Sequence, residues 1–206
     1  MSPVAAAKEQ VDLKKCYPEL YRAGRAVEEI RAGRGTFLAV DGIGEPGGET
    51  YRAALGRLYA LAYTAKLALK GAGLVDFSVP PLECLYPDGP VKAPEQEWRW
   101  RLMLRLPPEV TGRDLQTVRL VIRERRQVDT SDVKRVGWSE GRALQVLHVG
   151  PYRKVGASYR QLMKEATARG LECSGPGHEV YLSDPRRVAP EQLKTIVRIG
   201  VRRQRA

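Results

Sequence analysis

Apolar and polar positions along the chain fall into blocks that switch between strand and helix periodicity. Thr36-Phe37-Leu38-Ala39-Val40 is a short β-rich run, ended by a Gly/Pro-rich turn from Gly42 to Gly48. From Glu49 to Lys70 the residues Leu55, Leu58, Tyr59, Ala62, Ala65 and Leu69 recur at helical spacing, and Gly71 and Gly73 end the helix. Two strand-like runs follow, Asp76 to Tyr86 and Glu97 to Leu106, separated by a loop from Pro87 to Glu95. The order then repeats. Ala143 to Val149 is an alternating strand, Gly150-Pro151 turns the chain, and Tyr152 to Arg169 is helical with Tyr159, Leu162, Met163 and Ala166 on one face. Gly170 stops that helix, Glu179 to Ser183 reads as a strand, and Pro190 to Val201 supplies the last one.

The duplicated βαββ order predicts an α+β fold of one unit over 1–206. Its parts are an N-terminal extension (1–34) with a short helix near Glu19 to Arg31, a first repeat (35–106), a bridging helix and linker (107–142) and a second repeat (143–202). The two halves are expected to form one mostly antiparallel sheet with two long helices on one face and a ligand groove on the other. Each half carries a glutamate on the first strand after its helix, Glu83 and Glu179, which pairs them as repeat equivalents.

Composition narrows the class. Hydrophobic residues make up 43% and charged residues 29% of the 206, ordinary for a folded protein. No apolar run is long enough for a signal peptide or a membrane span, so a cytoplasmic protein without a membrane partner is the expectation. Cys16, Cys84 and Cys173 are odd in number and widely spaced, which fits neither a disulfide framework nor a metal motif; no metal and no cofactor are expected. The net charge of +11 raises the question of nucleic acid. Arg119, Arg123, Arg125 and Arg126 lie on an amphipathic helix, and Arg198, Arg202, Arg203 and Arg205 near the chain end. Aromatic residues do not interleave with either group as a stacking groove requires, so contact with nucleic acid is expected to be non-specific at most.

Six strings, taken in order, resemble the GyrI-like small-molecule-binding family: Val40 to Pro46, Ala62 to Lys66, Pro81-Leu82-Glu83, Trp98 to Met103, Leu147 to Tyr152 and Glu179 to Arg186. The resemblance spans nearly the whole chain and implies a duplicated βαββ fold that binds drugs or toxins. In layout the chain is similar to a stand-alone subgroup that hydrolyses the strained cyclopropane of planar, DNA-alkylating cyclopropanoid compounds. Passive sequestration of a planar apolar or cationic ligand, and a gyrase-inhibitor-like interaction module, are the alternatives the resemblance carries.

Glu179 is the first candidate for chemistry. Strand alternation puts Glu179, Tyr181 and Ser183 on one face and His178, Val180 and Leu182 on the other. A carboxyl group in a dry aromatic groove has its pKa pushed towards neutrality and suits a general base. Tyr152, after the Gly-Pro turn, is the candidate proton donor. Glu83 either flanks the ligand or caps a backbone amide. Trp98, Trp100 and Tyr63 form either core or a stacking wall. Tyr86 stands where the subgroup has a tryptophan, and Tyr181 shares the face of Glu179. His148 is a strand histidine of structural type that could line the site. Cys84 has no base identifiable on its own face, and His178 points away from Glu179. The charge distribution generates a first prediction. Fluorescence anisotropy with duplex DNA should show weak binding that vanishes at moderate salt; tight binding to one sequence at physiological salt would overturn the surface reading.

Overall fold

A computed structural model describes residues 10–88 and 97–204. Two single-turn helices, α1 (Leu13–Cys16) and α2 (Pro18–Tyr21), precede strand β1 (Glu28–Ala32). The expected helix near Glu19 to Arg31 is therefore replaced. Polar Glu28, Glu29 and Arg31 are tolerated because β1 is an edge strand paired only with β6 (Gly141–Val149). Strand β2 (Gly35–Ile43) leads into α3 (Glu49–Gly71), and β3 (Leu82–Tyr86) and β4 (Arg99–Leu106) complete the first half. The run from Asp76 to Pro81 is not strand; Phe77 instead bridges to Val11 of the N-terminal segment.

The bridging region holds more than a linker. Helix α4 (Gly112–Arg126) begins at a capping box made by Thr111 and Asp114. Beyond it, β5 (Lys134–Trp138) pairs with β2. In the second half, β6 is followed by a 3-10 turn at Tyr152–Lys154, α5 (Gly156–Ala168), β7 (Leu171–Tyr181) and β8 (Lys194–Arg203). The turn breaks the expected continuous helix at Val155, and β7 begins well before Glu179.

The eight strands form one antiparallel sheet in the order β1-β6-β8-β7-β3-β4-β2-β5. This order is a palindrome about the β7–β3 junction, as a duplicated unit requires. The register locates the equivalence. Cys84 pairs with Leu102 and Leu102 with Val40, just as Glu179 pairs with Val197 and Val197 with Val146. Cys84 is thus the repeat equivalent of Glu179, and Glu83 that of His178. The expected pairing of the two glutamates is off by one residue, and in a strand one residue reverses the face.

Helices α3 and α5 cover one face. Leu38, Val40, Leu102 and Leu104 pack there against Leu58, Leu61 and Ala65 of α3, and Leu144, Val146 and Val197 against Tyr159 and Leu162 of α5. The other face is not free. Two-residue connections (Gly33-Arg34 and Ser139-Glu140) join strands from opposite ends of the order, so the sheet curls over that face. The N-terminal segment closes it, with Leu13, Leu20 and Tyr21 buried against Ala32, Val180 and Ile196.

What this second core contains is largely polar. His178 is fully buried, with Nδ1 3.0 Å from Glu140 Oε2 and Nε2 3.0 Å from Glu83 Oε2. The Tyr21 hydroxyl donates to Glu83 Oε1 at 2.9 Å. Arg198 donates to Gln145 Oε1 and to the Leu20 carbonyl, and lies 3.5 Å from Glu140 Oε2. Gln145 in turn donates to the carbonyls of Glu19 and Arg22. The N-terminal segment is therefore fastened by hydrogen bonds to buried charged groups, which are stronger than neutral ones. Replacing Tyr21 with Phe is expected to destabilise the fold by about 1.5–3 kcal/mol in chemical denaturation, the worth of a hydrogen bond to a buried charge. An unchanged midpoint would mean that the segment is not latched through Glu83.

Candidate functional site

The pleat of β7 turns Gly177, Glu179 and Tyr181 towards the helices, not towards an open opposite face. The groove expected on the helix-free side is thus occupied by the N-terminal segment, and the acidic group sits under α3 and α5. Two hydroxyls hold its carboxyl group. Tyr181 donates to Oε2 at 2.9 Å, and Tyr159 of α5 donates to Oε1 at 3.3 Å. Tyr159 can reach because Gly177 lies beneath it: a Cβ there would stand 2.8 Å from the Tyr159 hydroxyl oxygen. A register shift between Ser174 and Gly177, with Gly175 at φ 84°, bends β7 just before the site.

Further aromatic residues enclose this pair. The Tyr86 hydroxyl is 3.1 Å from that of Tyr181, and since Tyr181 donates to Glu179 it accepts from Tyr86. Tyr51 of α3 lies near Tyr181, and its ring meets Trp100 edge-on at 5.0 Å. Tyr152 packs edge-on against Tyr181 at 5.3 Å and reaches solvent, 36% exposed. Trp98 is half-buried and meets Tyr86 edge-on at 5.8 Å. Cys84 faces Glu179 from the neighbouring strand.

Electrostatics follow from this enclosure. Glu179 is 4% exposed, and burial pushes its pKa up to about 7 despite the opposing hydrogen bonds from Tyr181 and Tyr159. Burial and then the Glu179 charge raise the hydroxyls of Tyr159, Tyr181 and Tyr152, and burial, then Cys84 and then Glu179 raise that of Tyr86. Tyr51 is raised by burial, then by Cys84 and Glu179. These groups are hydrogen-bond donors at neutral pH. Burial and then the same carboxylate also raise the Cys84 thiol, which donates to the Leu85 carbonyl at 3.8 Å. A base does stand on the face of Cys84, contrary to the sequence reading, yet the thiol is held protonated and is no nucleophile.

The structure thus brings Glu179, Tyr181, Tyr86, Tyr152 and Trp98 together and separates the other candidates. Glu83 lies on the opposite face inside the ion network, 3% exposed, so it cannot touch a ligand beside Glu179. His148 faces the helices, but its ring nitrogens are taken by Ser158 Oγ at 3.0 Å and the Pro151 carbonyl at 3.3 Å, which anchor α5 to β6. Tyr63 stacks on Tyr59 on the outside of α3, 50% exposed. Trp100 is core: its Nε1 donates to the Gly44 carbonyl at 3.0 Å, and its ring fills the space where a Gly42 side chain would stand. Tyr159 and Tyr51 were not among the sequence candidates. Tyr159 read as one more apolar position of a helix stripe, and nothing in its spacing marks the hydroxyl.

The raised carboxyl also fixes a pH effect on stability. In the unfolded chain Glu179 gives up its proton near the ordinary value of 4.5, while in the folded protein it keeps it until about 7. The folded state binds more protons in that window, so stability falls as pH rises from about 4.5 to about 7, by up to roughly 3 kcal/mol. Glu179→Gln removes this term. Denaturant melts should show the variant gaining on the wild-type protein at pH 8 relative to pH 5; parallel changes in both proteins would assign the pH effect elsewhere.

Three solved structures share this arrangement of elements. A hydrolase from Listeria innocua is 37% identical, with 94% of this chain and all of that one covered and a TM-score of 0.85. An uncharacterised conserved protein from Listeria innocua is 38% identical over 94% of this chain and all of its own, TM-score 0.88. The C-terminal domain of EcmrR, at 14% identity and TM-score 0.56 over 90% of this chain and 99% of that one, shares the fold alone. No curated protein matches the sequence, and no helix among the described residues is long and apolar enough to cross a membrane. The family model of the GyrI-like small molecule binding domain matches residues 36–202, from the start of β2 to the end of β8, and the chain belongs to that family.

Proposed function

We propose that this protein is a cofactor-free hydrolase that opens the strained ring of planar cyclopropanoid compounds by adding water. The observation that carries the proposal is Glu179. It is a buried carboxyl group with a pKa near 7, wrapped in hydroxyl donors on a face walled by aromatic rings. A base of that strength is half ionised at neutral pH, where it combines availability with driving force for taking a proton. Kinship with a Listeria hydrolase supports turnover, and the substrate class rests on the similarity of the sequence strings to cyclopropanoid hydrolases.

In the proposed reaction the Glu179 carboxylate takes a proton from water as the water oxygen bonds to the ring methylene. The strained carbon–carbon bond breaks, and its electron pair moves through the conjugated system to the carbonyl oxygen. That oxygen receives a proton from Tyr152, the ring on the solvent side of the site. Return of the Glu179 proton to Tyr152 resets both groups, and the sum is addition of one water. Tyr86, Tyr152, Tyr181 and Trp98 would contact the planar ligand.

A second reading is passive sequestration. Tyrosine and tryptophan rings around one buried carboxylate suit a lipophilic cation. Incubation with a cyclopropanoid followed by mass spectrometry separates the two: a product one water heavier at catalytic protein concentration supports hydrolysis, and unchanged ligand co-eluting with protein supports sequestration. For the hydrolase, kcat/KM should rise as pH rises through about 7, because the ionised form of Glu179 is the active one. Glu179→Gln should lower ring opening by roughly a hundredfold or more while affinity for an uncharged planar ligand barely changes, and Tyr152→Phe should lower it by roughly tenfold or more. Full turnover in Glu179→Gln would remove the carboxyl from the mechanism.

A further inference from the structure

Behind Glu179, on the same strand, stands a cluster of buried ionisable groups that the proposed chemistry does not use. His178 and Glu179 are consecutive residues of β7, turned to opposite faces of the sheet and both buried. Each ring nitrogen of His178 is 3.0 Å from a carboxylate oxygen, Nδ1 from Glu140 and Nε2 from Glu83. A neutral imidazole has a single N–H donor, so donating to two ionised carboxylates requires the doubly protonated ring. Burial works against an ionised Glu83, but His178, Arg198 and the hydroxyl of Tyr21 together hold it below the ordinary carboxylate value, so it accepts on both oxygens. Arg198 lies 3.5 Å from Glu140 as well, so a guanidinium and, when protonated, the imidazole of His178 oppose the two carboxylates.

Among the described residues, the front face offers Glu179 no comparable charge. Tyr159 of α5, Tyr51 of α3, Tyr86 and Cys84 of β3, Tyr181 of β7 itself and Tyr152 of the 3-10 turn supply hydroxyls and a thiol, and the cross-strand neighbour on β8 is Val197. Hydroxyl donors help the ionised carboxylate, but burial works against it and has the larger effect.

We propose that His178 is a positioning residue for Glu179: held as an imidazolium by Glu83 and Glu140, its charge stabilises the carboxylate of its strand neighbour through the thickness of the sheet. Between two groups shielded from solvent on both sides, such an interaction is weakly screened by water or salt. Its effect on Glu179 runs in the expected direction, lowering it, while Glu140 and Glu83 raise His178 above its ordinary value against the opposing effect of burial. The N-terminal segment, which seals the back face and hydrogen-bonds Glu83, thereby belongs to the apparatus that sets the working base. The significance of the coupling for catalysis rests on the reading of Glu179 as that base; the coupling itself does not.

Carboxyl 13C titration of glutamate-labelled protein, with the Glu179 signal assigned by its loss in Glu179→Gln, tests the coupling directly. In His178→Gln the Glu179 midpoint should move up by about half a unit or more, at least a threefold loss of ionised form at a given pH below it. Coupling is reciprocal, so in Glu179→Gln the His178 ring, followed by imidazole 15N signals, should titrate lower by a similar amount. A residue that only fills space would move neither midpoint. If His178→Gln leaves Glu83 and Glu140 too poorly matched to fold, the Glu179→Gln arm decides alone. Midpoints that agree with wild type within about 0.2 units in the folded variants overturn the proposal. Reciprocal shifts in a protein that turns over no cyclopropanoid uphold the coupling and sink the hydrolase; unshifted midpoints in an active protein do the reverse.

Discussion

Burial of two ionisable groups back to back on one strand is the constraint around which the rest of this molecule is arranged. A charged group removed from water is stable only when donors, acceptors or counter-charges replace its hydration. Glu179 and His178 lie in the middle of an eight-stranded sheet, so the replacements must come from other elements. On the front, α5 supplies Tyr159, α3 supplies Tyr51 and β3 supplies Tyr86. On the back, β3 supplies Glu83, the β5–β6 connection supplies Glu140, and the N-terminal segment covers both and bonds Glu83 through Tyr21. Elements far apart in sequence are thus tied to one strand by polar contacts that cannot be left unmade without losing the desolvation energy of a buried charge.

The duplicated fold makes this arrangement available twice and uses it once. Under the pseudo-two-fold, Glu179 corresponds to Cys84 and His178 to Glu83. Among the described residues the front face therefore buries a single carboxyl group, and its high pKa comes from burial. The back face holds the matching histidine and glutamate in direct contact across the axis. Tyr86 and Tyr181, which the same axis relates, meet through their hydroxyls beside Glu179. The two halves contribute like parts to the aromatic wall and unlike parts to the acid, so the symmetric scaffold yields an asymmetric site.

Glycines at a few positions let the chain approach closely enough for this. Gly177 leaves room for the Tyr159 hydroxyl over the strand, and Gly42 leaves room for the Trp100 ring, whose burial carries Tyr51 into place. Gly44 and Gly150, at φ 128° and 138°, make the repeat-related turns that lead from the first strand of each half towards its helix.

Helical spacing in 49–70, the turn glycines, the βαββ repeat and the shared face of Glu179 and Tyr181 are all readable along the chain, because each is a relation between residues a few positions apart. The same alternation separates His178 from Glu179. What the alternation does not contain is which face of a strand meets the helices and how the two halves align. A slip of one residue between Glu83 and Cys84 exchanges an ion network for a site, and both alignments place apolar neighbours acceptably. Nor does composition mark β1, whose polar residues form an edge strand only because β6 stands beside them, or Tyr159, an apolar helix position until Gly177 and Glu179 lie beneath its hydroxyl. The sequence by itself determined the periodicity of the elements, their duplication and the aromatic and acidic residue types; tertiary structure alone decided which of those residues face one another. Facing depends on strand register and on the curl of the sheet, which are settled by long-range packing and not by the spacing of neighbours.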